Sequence, residues 1–144
     1  MQFPAPSAFA FEASGSTPHA SKRTPAILVV DDDVAAGDAL AFLLRGEGYA
    51  VVVTTDGEEG YRALQQRRFD AVLTDLAMPA GGRRWLARLR ATWPAVPVVV
   101  VTALDTEASS FVTPYHLADA VLGKPVEAGV LLDVLKRVLT GARL

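Results

Sequence analysis

The chain has 144 residues, enough for one domain with a substantial core. Hydrophobic residues make up 51% and charged residues 21%, and 16 acidic against 14 basic residues leave no global field directed at nucleic acid or an anionic membrane. There is no cysteine, which excludes disulfides, thiolate metal sites and cysteine nucleophiles and fits a reducing cytoplasm. Apolar runs such as Val98-Val99-Val100-Val101 are far too short to cross a bilayer.

Residues 1–24 are rich in Pro, Ala and Ser, and their bulky residues Phe3, Phe9 and Phe11 follow no sustained period. They lack the basic start and unbroken apolar stretch of a secretory signal. The expectation is a disordered N-terminal tail at 1–24 and a single domain at 25–144.

From Pro25 onward, short apolar runs alternate with amphipathic stretches. Ala26 to Val30 is continuous and β-branched, as a strand covered on both faces should be. Val34 to Arg45 carries Leu40, Leu43 and Leu44 at helical spacing before Gly46 and Gly48. Ala50 to Val53 is a second strand, and Gly57 to Arg68 a second helix with Tyr61 and Leu64 inward. Asp70 to Thr74 forms a third strand ending at Asp75. Trp85, Leu86, Leu89 and Trp93 mark a third helix stopped by Pro94. Val96 to Val101 and Ala120 to Leu122 read as the fourth and fifth strands, and Glu127 to Leu139 as a last helix with Val130, Leu131, Val134, Leu135 and Val138 inward. Five alternations of strand and helix predict an α/β fold, a doubly wound five-stranded parallel sheet flanked by five helices. The fourth helix, between Thr102 and Ala120, contains Pro114 and is expected to be short or irregular.

In such sheets ligands sit beyond the carboxyl ends of the strands. Here those ends carry Asp31-Asp32-Asp33, Asp75, Thr102 and Lys124-Pro125. Converging carboxylates repel one another, and oxygen-only ligation of Mg²⁺ or Mn²⁺ is the usual relief. A lysine at the rim would balance charge, a hydroxyl can donate to a phosphoryl oxygen, and a carboxylate can attack phosphorus once a metal screens the charge. Taken singly, each residue has a plainer reading. Asp31 to Asp33 can cap a helix, Asp75 can belong to a turn, Thr102 to a strand and Lys124 to a solvated loop. Their joint occurrence in this order points to phosphoryl chemistry.

Val29-Val30-Asp31-Asp32-Asp33, Thr74-Asp75-Leu76-Ala77-Met78-Pro79, Val101-Thr102-Ala103 and Gly123-Lys124-Pro125 resemble the receiver domains of bacterial response regulators, of the chemotaxis-regulator type. The similarity covers roughly Ala26 to Leu139 and implies a flavodoxin-like receiver fold. It further implies that Asp75 accepts a phosphoryl group from a histidine kinase phosphohistidine. Asp31 and Asp32 would hold Mg²⁺ together with Asp75 and the backbone carbonyl of Ala77. Thr102 would be the switch hydroxyl and Lys124 the cation that pairs with the phosphate. Asp33 is expected to begin the following helix rather than to bind metal.

Several positions depart from the family pattern. The loop Ala80-Gly81-Gly82 is one residue shorter than usual, and Arg83 stands where an apolar residue commonly packs. With Arg84, Arg88 and Arg90 it is expected to form a basic, solvated face on the third helix. Val121 occupies the place of the usual fifth-strand aromatic, so an aromatic flip cannot report phosphorylation. Ala77 and Leu104, at the positions that tune phosphoryl lifetime, cannot hydrogen-bond an attacking water through their side chains, which predicts slow self-dephosphorylation.

The resulting expectation is a stand-alone cytoplasmic receiver, a signalling domain rather than an enzyme. Its partners would be a sensor histidine kinase or histidine phosphotransfer protein, an effector protein and, in a homodimer, a second copy, with no direct contact to nucleic acid or membrane. A pseudo-receiver acting as a constitutive interaction module is the alternative. A carboxylate-nucleophile hydrolase matches only weakly, through Asp31-x-Asp33.

Overall fold

The computed structural model describes residues 23–78, 81–103 and 117–141. Five strands, β1 (Ala26–Val30), β2 (Ala50–Thr54), β3 (Ala71–Thr74), β4 (Val98–Thr102) and β5 (Ala120–Gly123), form one sheet in the order β2-β1-β3-β4-β5. Every neighbouring pair is parallel. Four helices are described: α1 (Val34–Gly46), α2 (Gly57–Gln66), α3 (Gly82–Thr92) and α4 (Ala128–Leu139). The expected irregular helix between β4 and β5, with Pro114, lies outside the described residues. Among the described residues no helix is long and apolar enough to cross a membrane.

The unbroken apolar strands follow from burial on both faces. Ile27, Val29, Leu73, Val99 and Val101 join Leu44 of α1 and Leu131 and Leu135 of α4 in one core. Leu28, Val30, Val72, Val98 and Val100 face the other way, onto Leu64 of α2 and Trp85, Leu86 and Leu89 of α3. The doubly wound sheet is therefore the expected one.

Some boundaries and orientations differ from expectation. β4 begins after Pro97, which has no N–H for the ladder. α3 starts at Gly82, three residues before Trp85, from a left-handed Gly81 at φ 93°. A Cβ at Gly82 would collide with the Leu76 carbonyl, so only glycine lets α3 approach the end of β3 this closely. Val130 is 46% exposed, not inward. The buried stripe of α4 is Leu131, Val134, Leu135 and Val138, and Val130 lies one residue off that i, i+3, i+4, i+7 face.

The arginines of α3 do not share one solvated face. Arg88 donates to Glu58 of α2 at 2.6 Å and stacks over Tyr61 at 3.6 Å. Arg90 turns the opposite way, into contacts with the backbone and with Asp119. Arg23, which composition assigns to the tail, is tied to Asp70 at 2.7 Å, so ordered contacts begin before Pro25.

Candidate functional site

The connection order reverses at β1, with β2 on one side and β3 on the other, which makes the carboxyl ends of β1 and β3 the switch point. Val30 and Thr74 are register partners, so the next residues, Asp31 and Asp75, stand side by side. The Asp75 N–H donates to the Val30 carbonyl at 3.0 Å, and the Asp31 N–H donates to Thr54 at the end of β2 at 3.1 Å. Both aspartates are buried, Asp31 at 2% and Asp75 at 6% exposure, while Asp32 is exposed.

The two buried carboxylates hold fixed orientations. Asp31 Oδ1 accepts the Asp33 N–H at 2.9 Å, and Asp75 Oδ1 accepts the Ala77 N–H at 2.8 Å. Their Oδ2 atoms share the Lys124 ammonium, 2.8 Å from each. Burial would lower the lysine pKa, but hydrogen bonds to Asp31 and Asp75 and their two charges outweigh it and hold it above its ordinary value. The ammonium therefore stays charged between two carboxylates that would otherwise repel.

Lys124 arrives from β5 through the register. Thr102 pairs with Gly123, and the Lys124 N–H donates to the Thr102 carbonyl at 2.9 Å. Thr102 ends β4 and is 3% exposed; its hydroxyl finds no partner among the described residues. The Lys124-Pro125 peptide is cis.

One carboxylate oxygen each from Asp31, Asp32 and Asp75 lies within 4.8 Å of the others. Three carboxylates against one ammonium leave two negative charges, the charge of one divalent cation. Oxygen donors of this kind fit a hard ion. Ala77 lies two residues past Asp75, exposed, with its N–H committed to that carboxylate. Asp33 is the N-cap of α1, accepting the Ala36 N–H at 3.1 Å. Leu104 lies outside the described residues.

Two features escaped the sequence reading. The Trp85 indole N–H donates to Thr74 Oγ1 at 2.8 Å, and the Thr74 hydroxyl donates to the Asp75 carbonyl at 3.1 Å. Glu59 reaches back to both the N–H and the hydroxyl of Thr55, at 2.8 and 3.0 Å, and fixes the β2–α2 turn beside Asp31. The second is legible in Asp56-x-x-Glu59, a capping pattern at the start of a helix. The first has no sequence signal.

Comparison with known proteins agrees with this geometry. The profile of the response regulator receiver domain matches residues 27–136. The sensory transduction protein RegX3 of Mycobacterium tuberculosis is 38% identical over 114 residues, covering 78% of this chain and 50% of RegX3. The chain thus spans half the length of RegX3 and 27% of the transcriptional regulatory proteins GlrR of Escherichia coli and ZraR of Salmonella typhimurium. Among solved structures, a CheY-like receiver domain from Methanospirillum hungatei is 30% identical with a TM-score of 0.75, covering 83% of this chain and 96% of that one. The response regulator TrrA of Thermotoga maritima, solved in complex with Mg(2+)-BeF, is 25% identical with a TM-score of 0.72, covering 80% and 99%. On sequence, fold and the arrangement of acids and lysine at the strand ends, the chain belongs to the response regulator receiver domain family.

Proposed function

We propose that Asp75 accepts a phosphoryl group from the phosphohistidine of a sensor histidine kinase or histidine phosphotransfer protein, and that the phosphorylated domain signals by protein contact. The observation that carries this reading is the Lys124 ammonium held 2.8 Å from both Asp31 and Asp75 at the sheet's switch point. In the transfer, an Asp75 carboxylate oxygen bonds to phosphorus as the bond from phosphorus to the histidine nitrogen breaks. The electron pair of that bond returns to the imidazole. Lys124 pairs with a phosphoryl oxygen, and the buried Thr102 hydroxyl acts as the switch by donating to another.

Receiver domains bind Mg²⁺ at an acidic pocket, and the cluster of Asp31, Asp32 and Asp75 supports the same here. Those three side chains and the Ala77 carbonyl would hold Mg²⁺ or Mn²⁺. The ion, when bound, screens the negative charge of the incoming phosphoryl group. The TrrA structure with Mg(2+)-BeF supports that ligand class in a related receiver.

The domain catalyses its own phosphorylation and only slow dephosphorylation, because Ala77 is exposed beside Asp75 with no polar side-chain atom to orient a water. The phosphorylated surface is read by an effector protein, and the compartment is the cytoplasm. A hydrolase mechanism through Asp31-x-Asp33 is disfavoured, since the Asp33 carboxylate is engaged as a helix cap.

A pseudo-receiver is the second reading, favoured by Val121, which packs half-buried in the α2–α3 core where an aromatic switch would lie. Incubation with acetyl phosphate and Mg²⁺ separates the two. The phosphoryl reading requires a mass gain of one phosphoryl group that maps to Asp75 and disappears in Asp75→Asn. No gain in the wild-type chain supports the pseudo-receiver.

A further inference from the structure

Trp85 is the largest side chain in the α2–α3 core, and its indole nitrogen is aimed at a single polar atom. That atom is Thr74 Oγ1, 2.8 Å away, on the residue immediately before Asp75. The ring is 4% exposed and its neighbour Thr74 1%, so water competes for neither group. With its acceptor side occupied by the indole N–H, the Thr74 hydroxyl turns its own proton to the Asp75 carbonyl oxygen at 3.1 Å. That carbonyl belongs to the peptide where the chain leaves β3. Two residues later the Ala77 N–H closes onto the Asp75 carboxylate at 2.8 Å. The turn that presents Asp75 is therefore pinned at both ends, once by the carboxylate itself and once by Thr74 acting under Trp85.

Trp85 is in turn immobilised by α2. A Cβ at Gly57 would stand 2.9 Å from the Trp85 Cβ, and one at Gly60 would stand 3.1 Å from Cη2. These two glycines leave a notch that the indole fills. The notch opens the helix that follows β2, whose last carbonyl accepts the Asp31 N–H. The chain of contact thus runs from the Asp31 side of the pocket, through α2 and Trp85, to the peptide of Asp75.

We infer that Trp85 is a positioning residue for phosphoryl acceptance, acting through the Thr74 hydroxyl to orient the Asp75 peptide and carboxylate. The inference rests on the phosphoryl-acceptor reading above. It assigns to Trp85 and Thr74 a role in the transfer step, beyond filling the core.

The test is the rate of Mg²⁺-dependent phosphorylation by acetyl phosphate, followed to saturation, in wild type, Trp85→Phe, Thr74→Val, Thr74→Ser and the double variant Trp85→Phe/Thr74→Val. Loss of one buried hydrogen bond that orients the acceptor should lower the maximal rate about threefold to tenfold. The half-saturating acetyl phosphate concentration should stay unchanged, because donor binding does not involve this bond. The double variant should be no slower than the slower single variant, and Thr74→Ser, which keeps the hydroxyl, should restore most of the rate. A purely structural role would lower the melting temperature of these variants yet leave their maximal rates at low temperature equal to wild type, and that result overturns the inference. So do multiplicative rate losses in the double variant. If Trp85→Phe does not fold, Thr74→Val against Thr74→Ser carries the comparison alone. A wild-type chain that never becomes phosphorylated overturns the acceptor reading and this inference with it, whereas a normally phosphorylated wild type with unaffected variants overturns this inference only.

Discussion

Arg90 and Asp119 are joined at 2.6 Å across the seam between the end of α3 and the approach to the edge strand β5. The same guanidinium donates to the carbonyls of Leu117, Pro94 and Val96, and Asp119 also accepts the Val98 N–H at 2.8 Å. One side chain thus ties together the last turn of α3, the start of β4 and the strand that delivers Lys124. Arg90→Ala would leave three carbonyls and a half-buried carboxylate short of a donor, a loss of about 2–3 kcal/mol. For a domain of this size that lowers the thermal midpoint by roughly 10 °C. Arg90→Lys should recover little, since a single ammonium cannot reproduce the planar fork. Urea and thermal unfolding of the three proteins check the order.

The notch on α2 makes a different prediction for two glycines three residues apart. At Gly57 the added methyl meets the Trp85 Cβ, which is fixed to the backbone of α3 and cannot yield. Gly57→Ala should cost about 1–3 kcal/mol by overpacking. At Gly60 the contact is with the far rim of the ring and with the Val30 methyl at 3.1 Å. There the better helix propensity of alanine, about 1 kcal/mol, offsets part of the strain. Gly60→Ala should therefore be the milder change, read as a smaller shift in urea midpoint at unchanged slope.

The contrast between these residues shows what was legible in the sequence. Strands buried on both faces must be continuous apolar runs, so β1, β3 and β4 could be read from Ile27, Leu73 and Val99 and their neighbours. The members of the candidate site could be gathered because a parallel sheet brings its strand ends together, whichever way the helices pack. That is why Asp31, Asp75, Thr102 and Lys124 could be collected from four separate segments. Arg90 and Trp85 were not legible in the same way. Helical spacing says which face of α3 a residue occupies, but not what stands opposite. That depends on where α3 begins, which Gly82 sets by its close approach to Leu76. Val130 failed for a related reason, since an apolar residue one step off the buried stripe looks inward by composition and is outward by angle.

Asp70 gives a pH prediction remote from the acidic pocket. Burial would raise its pKa, but hydrogen bonds from Arg23 and the Ala26 N–H, with the charges of Arg23 and Arg68, hold it below the ordinary 3.8. A carboxyl whose folded pKa is depressed stabilises the fold above its unfolded value, and that contribution is lost as pH falls through the folded one. Asp70→Asn removes the charge. Wild type should exceed the variant in stability by a constant margin from neutral pH down to about pH 4, with the margin shrinking below it. Urea unfolding at a series of pH values measures this. A margin that grows on acidification contradicts the assignment.

Asp32 separates metal binding from folding. Unlike Asp31 and Asp75 it is exposed, and its carboxylate makes no hydrogen bond or ion pair to another described residue. Asp32→Asn should leave the stability of the metal-free domain within about 0.5 kcal/mol of wild type. If Asp32 is a direct ligand, the same change should weaken Mg²⁺ binding at least about tenfold, because the site loses one of three anionic donors. Linkage turns that into a melting experiment. At an Mg²⁺ concentration about one hundred times the wild-type dissociation constant, wild type gains about 2.7 kcal/mol, and a variant binding tenfold more weakly gains about 1.4. Asp31→Asn should behave otherwise, losing Mg²⁺ affinity and also disturbing the metal-free domain, since Lys124 then keeps only Asp75 as a charged partner. Equal Mg²⁺-induced shifts in wild type and Asp32→Asn would remove Asp32 from the ligand set and leave the ion to the two buried aspartates.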